Sequence, residues 1–96
     1  MHVEFHPAAE KELNEAIDYY NQQAPGLGFE FAWESRQTVD RILTNPLAWP
    51  LLGHRTRRCR ITHFPYGIIY HIHPQHVKVL AVMHLHRKPG YWHGRK

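Results

Sequence analysis

Beyond Asp40 the chain has no aspartate and no glutamate. Residues 41–96 carry ten lysines and arginines, a charge of +10, while the first 40 residues hold all eight acids against only Lys11 and Arg36, a charge of −6. This excludes an evenly mixed surface and points to an acidic half and a cationic half, the latter suited to a polyanion. Cysteine is nearly absent as well. Cys59 stands alone, so no intrachain disulfide can form, and a reducing compartment, the cytoplasm, is the expected setting. It reads as a small core residue rather than a nucleophile. No uninterrupted apolar run is long enough to span a bilayer, so no membrane partner is expected. The start of the chain, from Met1 to His6, lacks the cationic run and apolar stretch of a signal peptide. A chain of 96 residues is expected to form one domain, residues 1–96. Folding at this size buries roughly 65% of the unfolded surface. That leaves little room for a deep cavity, so a working site belongs on an open face or at a sheet end.

The pattern that is present predicts β-α-α-β-β-β. Val3 to Phe5 reads as a short strand, and His6-Pro7 ends it, with Pro7 suited to a first helical position. Ala9, Leu13, Ala16, Ile17, Tyr20 and Ala24 then recur at helical spacing, leaving Glu10, Glu12, Glu15 and Asp18 off the stripe. Pro25-Gly26 stops this helix. A second is predicted from about Leu27 to Thr44, ending at Asn45-Pro46. The short turn between them implies an antiparallel helical hairpin. Three strands are predicted at about Arg57–His63, Gly67–His73 and Val77–His86, joined by links short enough to permit only antiparallel neighbours. The fold class expected is α+β, with the hairpin packed on one face of a small antiparallel sheet.

A side-chain period of two divides these strands into faces. Cys59, Ile61, Ile69, Val79, Ala81, Met83 and Leu85 are assigned to the face that takes the hairpin. The other face receives Arg58, Arg60, Tyr70, Lys78, His84 and His86 among Ile68, Ile72, Leu80 and Val82. The expected result is an open cationic face with an apolar floor, able to bind nucleic acid or an amphipathic partner segment.

Ten histidines raise the question of a metal. His71-x-His73 and His84-x-His86 each share a face. In the predicted hairpin register His71 faces about Val79 and His84 faces about Tyr66, so the pairs stand roughly 16 Å apart, far beyond a shared zinc. The basic half offers no acidic partner. Neither a metal site nor a cofactor is therefore expected. A different cluster survives the register: His63, Tyr66, His84, His86 and Arg87 gather at one sheet edge, with Tyr91 and Trp92 just beyond and Arg58 and Arg60 approaching along the sheet. RNA cleavage through the 2′-hydroxyl needs a proton acceptor, a donor, cations for the phosphorane and aromatic rings for a splayed base, and these residue types are all present. For His63 and His71, packing and hydrogen bonding at strand ends is the preferred reading, while for Arg87, Tyr91 and Trp92 the spacing favours neither reading.

The string Phe64-Pro65-Tyr66-Gly67 with its following strand, and the later H-x-x-R-x-P-x-Y-W from His84 to Trp92, resemble RelE/ParE-type toxins of type II toxin–antitoxin systems, particularly the ParE-like subgroup. Ala9-x-x-Glu12, Ala16, Tyr20, Gly28-Phe29, Pro46 and Trp49 extend the resemblance over nearly the whole chain. It implies a growth-inhibiting toxin of a plasmid-stabilisation type module, neutralised by a cognate antitoxin. ParE-like members inhibit DNA gyrase, and RelE-like members cut mRNA on the ribosome without a metal. A degenerate, harmless interaction protein is the remaining alternative. Under the nuclease reading, Arg87 would serve the phosphate charge and Tyr91 or His84 the proton transfer. Arg58, Arg60, Lys78, His86 and Trp92 would contact the target or nucleic acid. Gly67 stands where the RelE pattern has an arginine, which removes one cation and favours the gyrase reading.

The antitoxin is expected to dock on two surfaces. Phe29 and Trp33 lie an i, i+4 step apart and off the apolar stripe of their helix. Arg58 and Arg60, with Ile68, Ile72, Leu80 and Val82, would receive an acidic amphipathic tail that folds on contact.

Overall fold

The computed structural model describes residues 1–96. The elements run β1 (His2–Phe5), α1 (Pro7–Gln23), α2 (Leu27–Thr44), β2 (Thr56–Arg60), β3 (Tyr66–Ile72) and β4 (His76–His84). Pro7 opens α1, and the preceding His6 caps it by accepting the Ala8 N–H on Nδ1 at 3.0 Å. The turn into α2 uses Gly26 at φ 85°, a left-handed conformation that glycine adopts without strain. Gly28 is needed for a different reason. A Cβ there would stand 2.2 Å from the Ile17 carbonyl oxygen, and the Gly28 N–H donates to Asn21 Oδ1 at 2.8 Å. The two helices meet backbone to backbone at this point, and only a residue without a side chain fits.

The helical hairpin lies on one face of a four-stranded sheet of order β1-β4-β3-β2. The β2–β3 and β3–β4 pairs are antiparallel as expected. The first strand is the exception: β1 runs parallel to β4, pairing His2 with His76 and Phe5 with Val79, so the sheet is mixed rather than wholly antiparallel. A parallel partner needs a long crossover, and the two helices and two strands between β1 and β4 supply it. The last strand ends at His84 rather than His86. There the chain turns, with the Leu85 N–H donating to the Pro65 carbonyl at 2.8 Å and the His86 N–H to His84 Nδ1 at 3.1 Å.

The assignment of side chains to faces needs correcting. Beneath the helices, Phe31, Val39, Ile42, Ala9 and Ala16 pack with Cys59, Ile61, Ile68, Tyr70, Val77, Val79 and Val82, and Ile72 joins from the margin. Ile69, Ala81 and Met83, expected there, lie on the opposite face with Leu80. Two causes combine. The β2–β3 hairpin pairs Cys59 with Ile68, not with Ile69. In addition, Ile69 faces Ala81 while Tyr70 faces Val79, so Leu80 is the extra residue of a β-bulge that reverses the phase of β4 midway. Ile68 and Val82 are therefore core residues, 0% and 2% exposed, and the floor of the other face is not the expected Ile68, Ile72 and Val82 but Ile69, Ala81 and Met83 around the expected Leu80. Nor is that face open. Trp92 covers it from the C-terminal tail, with Tyr91 and Leu52 beside it, making a second small core. Cys59 is buried, and burial pushes its thiol up, in keeping with a packing role.

Candidate functional site

β1 accompanies β4 only as far as Val79, because Pro7 begins a helix. From Leu80 onward the β4 edge presents backbone groups with no strand beside them, which ordinarily invites pairing with another chain. Two side chains occupy it instead. The Val82 N–H donates to Glu12 Oε1 at 3.1 Å, and the Leu80 carbonyl accepts from Arg95 Nη1 at 2.9 Å. Arg95 also grips the same carboxylate with both guanidinium nitrogens, at 2.9 and 3.2 Å. The Arg87 guanidinium is 3.7 Å from Glu12 Oε2 and lies over the Tyr91 ring, 3.6 Å from its centroid. One carboxylate thus ties α1, the β4 edge and the tail together. Glu12 belonged to the solvated face by helical spacing, and Arg95 carried no role. The available signals were the Ala9-x-x-Glu12 motif and the lack of any acid near the basic tail.

This arrangement decides what the cluster expected of a nuclease can do. The Tyr91 hydroxyl is buried beside the Glu12 carboxylate without a hydrogen bond of good geometry. Burial first, then the Glu12 charge, push its phenol up to about 12. A phenol so reluctant to ionise is a poor proton acceptor near neutral pH. Arg87 has its charge offset by Glu12 on one side and its face on Tyr91. Trp92 is only 3% exposed, so it is a packing residue and offers no ring to a splayed base. His84 stands across the strand pair from Tyr66, as expected, with the rings edge to face at 5.1 Å. His86 is exposed and tilts toward His84 at 5.3 Å.

Arg58 and Arg60 do lie on the tail side of the sheet, opposite Ile69 and Gly67 respectively. The stem of Arg58 runs across Gly67, where a Cβ would meet its Cγ at 3.0 Å and Cδ at 3.1 Å. Lys78 is not part of this group. It sits near the other end of β4, opposite His71, and 4.0 Å from Glu4.

The second surface is on the hairpin. Phe29 and Trp33 are 72% and 62% exposed, the most open aromatic side chains of the molecule. They border a recess of about 740 Å³ between α2 and the Phe64-Pro65 turn, with Tyr20 and Leu27 in its wall. Behind them Phe64 meets Tyr20 and Phe31 edge to face, as Tyr66 meets Phe31, at 4.9 to 5.0 Å, and Tyr20 tilts against Phe31 at 5.3 Å, which packs the recess floor tightly. Glu30 and Glu34 line it, and Glu34 bonds His63 Nδ1 at 2.8 Å, pinning the turn to the helix. This surface is apolar with an acidic rim, whereas Arg58 and Arg60 are cationic. A single partner covering both would need apolar side chains for the first and carboxylates for the second.

Residues 3–89 match the family described as ParE toxin of type II toxin-antitoxin system, parDE. Among solved structures, a chain of the chromosomal ParDE TA system from P. aeruginosa is similar in fold, with a TM-score of 0.77 at 15% sequence identity over 88% of this chain and 96% of that one. No curated protein matches.

Proposed function

This chain belongs to the ParE toxin family of type II toxin–antitoxin systems, and from that premise we propose that it acts in the cytoplasm by binding DNA gyrase, with a cognate antitoxin holding it inactive. The observation that carries the choice of binding over RNA cleavage is the Glu12 knot. Arg87 and Tyr91, the cation and the proton-transfer group that cleavage would call on, are engaged by that carboxylate and by each other. Binding needs no freed catalytic group. The exposed Arg60, His86 and Arg87, with the half-buried Arg58 beside them, are contact surface under this reading. Purified gyrase should lose supercoiling activity, or accumulate cleaved plasmid, at stoichiometric amounts of the protein. Unchanged supercoiling with no trapped cleavage, together with codon-linked cuts in translated mRNA that vanish in Arg87→Ala, would replace this reading with the nuclease one. Normal growth at verified expression without the antitoxin would point to a degenerate toxin.

For the antitoxin, the recess beside Phe29 and Trp33 takes apolar side chains of a segment that folds on contact, and its acidic residues pair with Arg58 and Arg60. Exposed opposite charges steer encounter, so the association rate falls as salt rises. Reversing Arg58 and Arg60 together to glutamate should slow association and flatten its salt dependence, while Trp33→Ala should speed dissociation. Association kinetics indifferent to both salt and the double reversal would remove the arginines from the docking surface.

A further inference from the structure

The β1–β4 seam brings together a set of ligands that no strand supplies alone. We propose that His2, Glu4 and His76 form a site for one divalent metal ion of the zinc class. His2 and His76 are direct partners across the parallel pair, and Glu4 is two residues along β1, so all three side chains leave the same face of the sheet. Their donor atoms lie within 4.8 Å of one another. Glu4 Oε2 is 3.1 Å from His2 Nε2 and 3.9 Å from His76 Nε2. Zinc bonds of about 2.0–2.2 Å at tetrahedral angles place ligand atoms roughly 3.3 Å apart, so an ion fits with small side-chain rotations.

The division of labour on Glu4 supports the assignment. Its Oε2 faces the two imidazoles, while Oε1 faces the Lys78 ammonium at 4.0 Å. A ligating carboxylate held by a partner on its second oxygen is the usual outer-shell arrangement of such sites. His73 adds a second support, its ring stacked flat on His76 at 4.6 Å with 4° between planes. That contact restricts the ring that must present Nε2 to the metal. Two imidazoles and one carboxylate select zinc, nickel or cobalt over magnesium or calcium, which prefer all-oxygen sites. The remaining position opens to solvent, since His2 and Glu4 are exposed. The basic half contains no acid, so the pairing of β1 with β4 is what makes the site visible. It is independent of the gyrase reading. An ion here would clamp the first strand to the last.

The test is calorimetric titration of zinc chloride into the full chain, without an affinity tag, at neutral pH. One equivalent should bind, and Glu4→Gln and His76→Ala should each weaken binding by about tenfold or more. The ring-proton resonances of His2 and His76 should move with the added metal, and those of His86 should not. All three side chains are at least partly exposed, and thermal melts confirm that the variants fold. Absence of binding would overturn the proposal. So would wild-type affinity retained in both variants with loss in His84→Ala or His86→Ala, which would show adventitious capture by surface histidines.

Discussion

The two faces of the sheet are closed by different physics. On the helix side, two amphipathic helices lay a continuous apolar stripe over the sheet, and the core they form includes Phe31, Ile42, Ile68 and Val79, almost wholly removed from water. On the tail side a short irregular segment does the covering, with Trp92 as its one fully buried side chain and an arginine–carboxylate knot holding it down. Area closes the first face, and a few directional polar contacts close the second. The first should therefore fail only with the whole fold, while the second can open locally.

The largest expected effect belongs to the helix side. Phe31→Ala should cost about 3–5 kcal/mol in urea denaturation, with one cooperative transition. A smaller loss confined to the helices would break the comparison. Next comes the knot. Glu12→Ala leaves the Val82 N–H without its acceptor and Arg95 with only the Leu80 carbonyl, and should cost about 1–3 kcal/mol. Its signature is local: faster hydrogen exchange at the Val82 amide and a new tryptic cut after Arg87, with exchange beneath the helices unchanged. Equal acceleration on both faces would mean that the tail is not a separate unit of stability.

The smallest effects come from a matched pair of tyrosines, one on each side. The Tyr70 hydroxyl donates to the Pro46 carbonyl at 2.6 Å, whereas the Tyr91 hydroxyl has no such partner. Tyr70→Phe should cost about 0.5–1.5 kcal/mol in the same denaturation experiment, and Tyr91→Phe should change stability by less than about 0.5 kcal/mol. Both phenols are pushed up to about 12, chiefly by burial. An unfolded tyrosine ionises near pH 10. The neutral phenols' contribution is therefore complete below pH 10 and is lost as pH rises from 10 toward 12, because the unfolded chain releases protons that the folded one keeps. Stability against pH should fall over that window, and less steeply in either phenylalanine variant. Tyrosine absorbance should show four of the five rings titrating late, since burial also raises Tyr20 and Tyr66, with Tyr70 and Tyr91 the last.

The element order and the helices were legible because they rest on local signals. Pro7, Pro25-Gly26 and Asn45-Pro46 punctuate an apolar period of 3.6, and α2 occupies the expected Leu27–Thr44. The antiparallel links were legible from their length, and the register of His84 with Tyr66 from the turn. The unread features are relations between distant residues. A bulge at Leu80 leaves no mark on an unbroken run of apolar side chains from Val79 to Met83, yet it exchanges the faces of everything beyond it. A parallel partner for β1 has no local signature either, and with it went the His2–Glu4–His76 cluster. Of the candidate contact residues, Phe29, Trp33 and Arg60 are open to solvent and Arg58 is half-buried, while Ile68, Leu80, Val82 and Trp92 are buried.

The union of β1 with β4 also fixes the order in which this molecule can be assembled. Residues 2–5 are synthesised well before their seat, residues 76–79. A nascent chain shorter than this can form the helical hairpin, but it has no completed sheet on which to lay it. Closing a loop of such length makes non-local pairing slow relative to helix formation. β1 must therefore wait, unpaired, until β4 has been made. A product truncated before Val79 lacks the strand that joins β1 to β3, so the fold is completed only once β4 has been made.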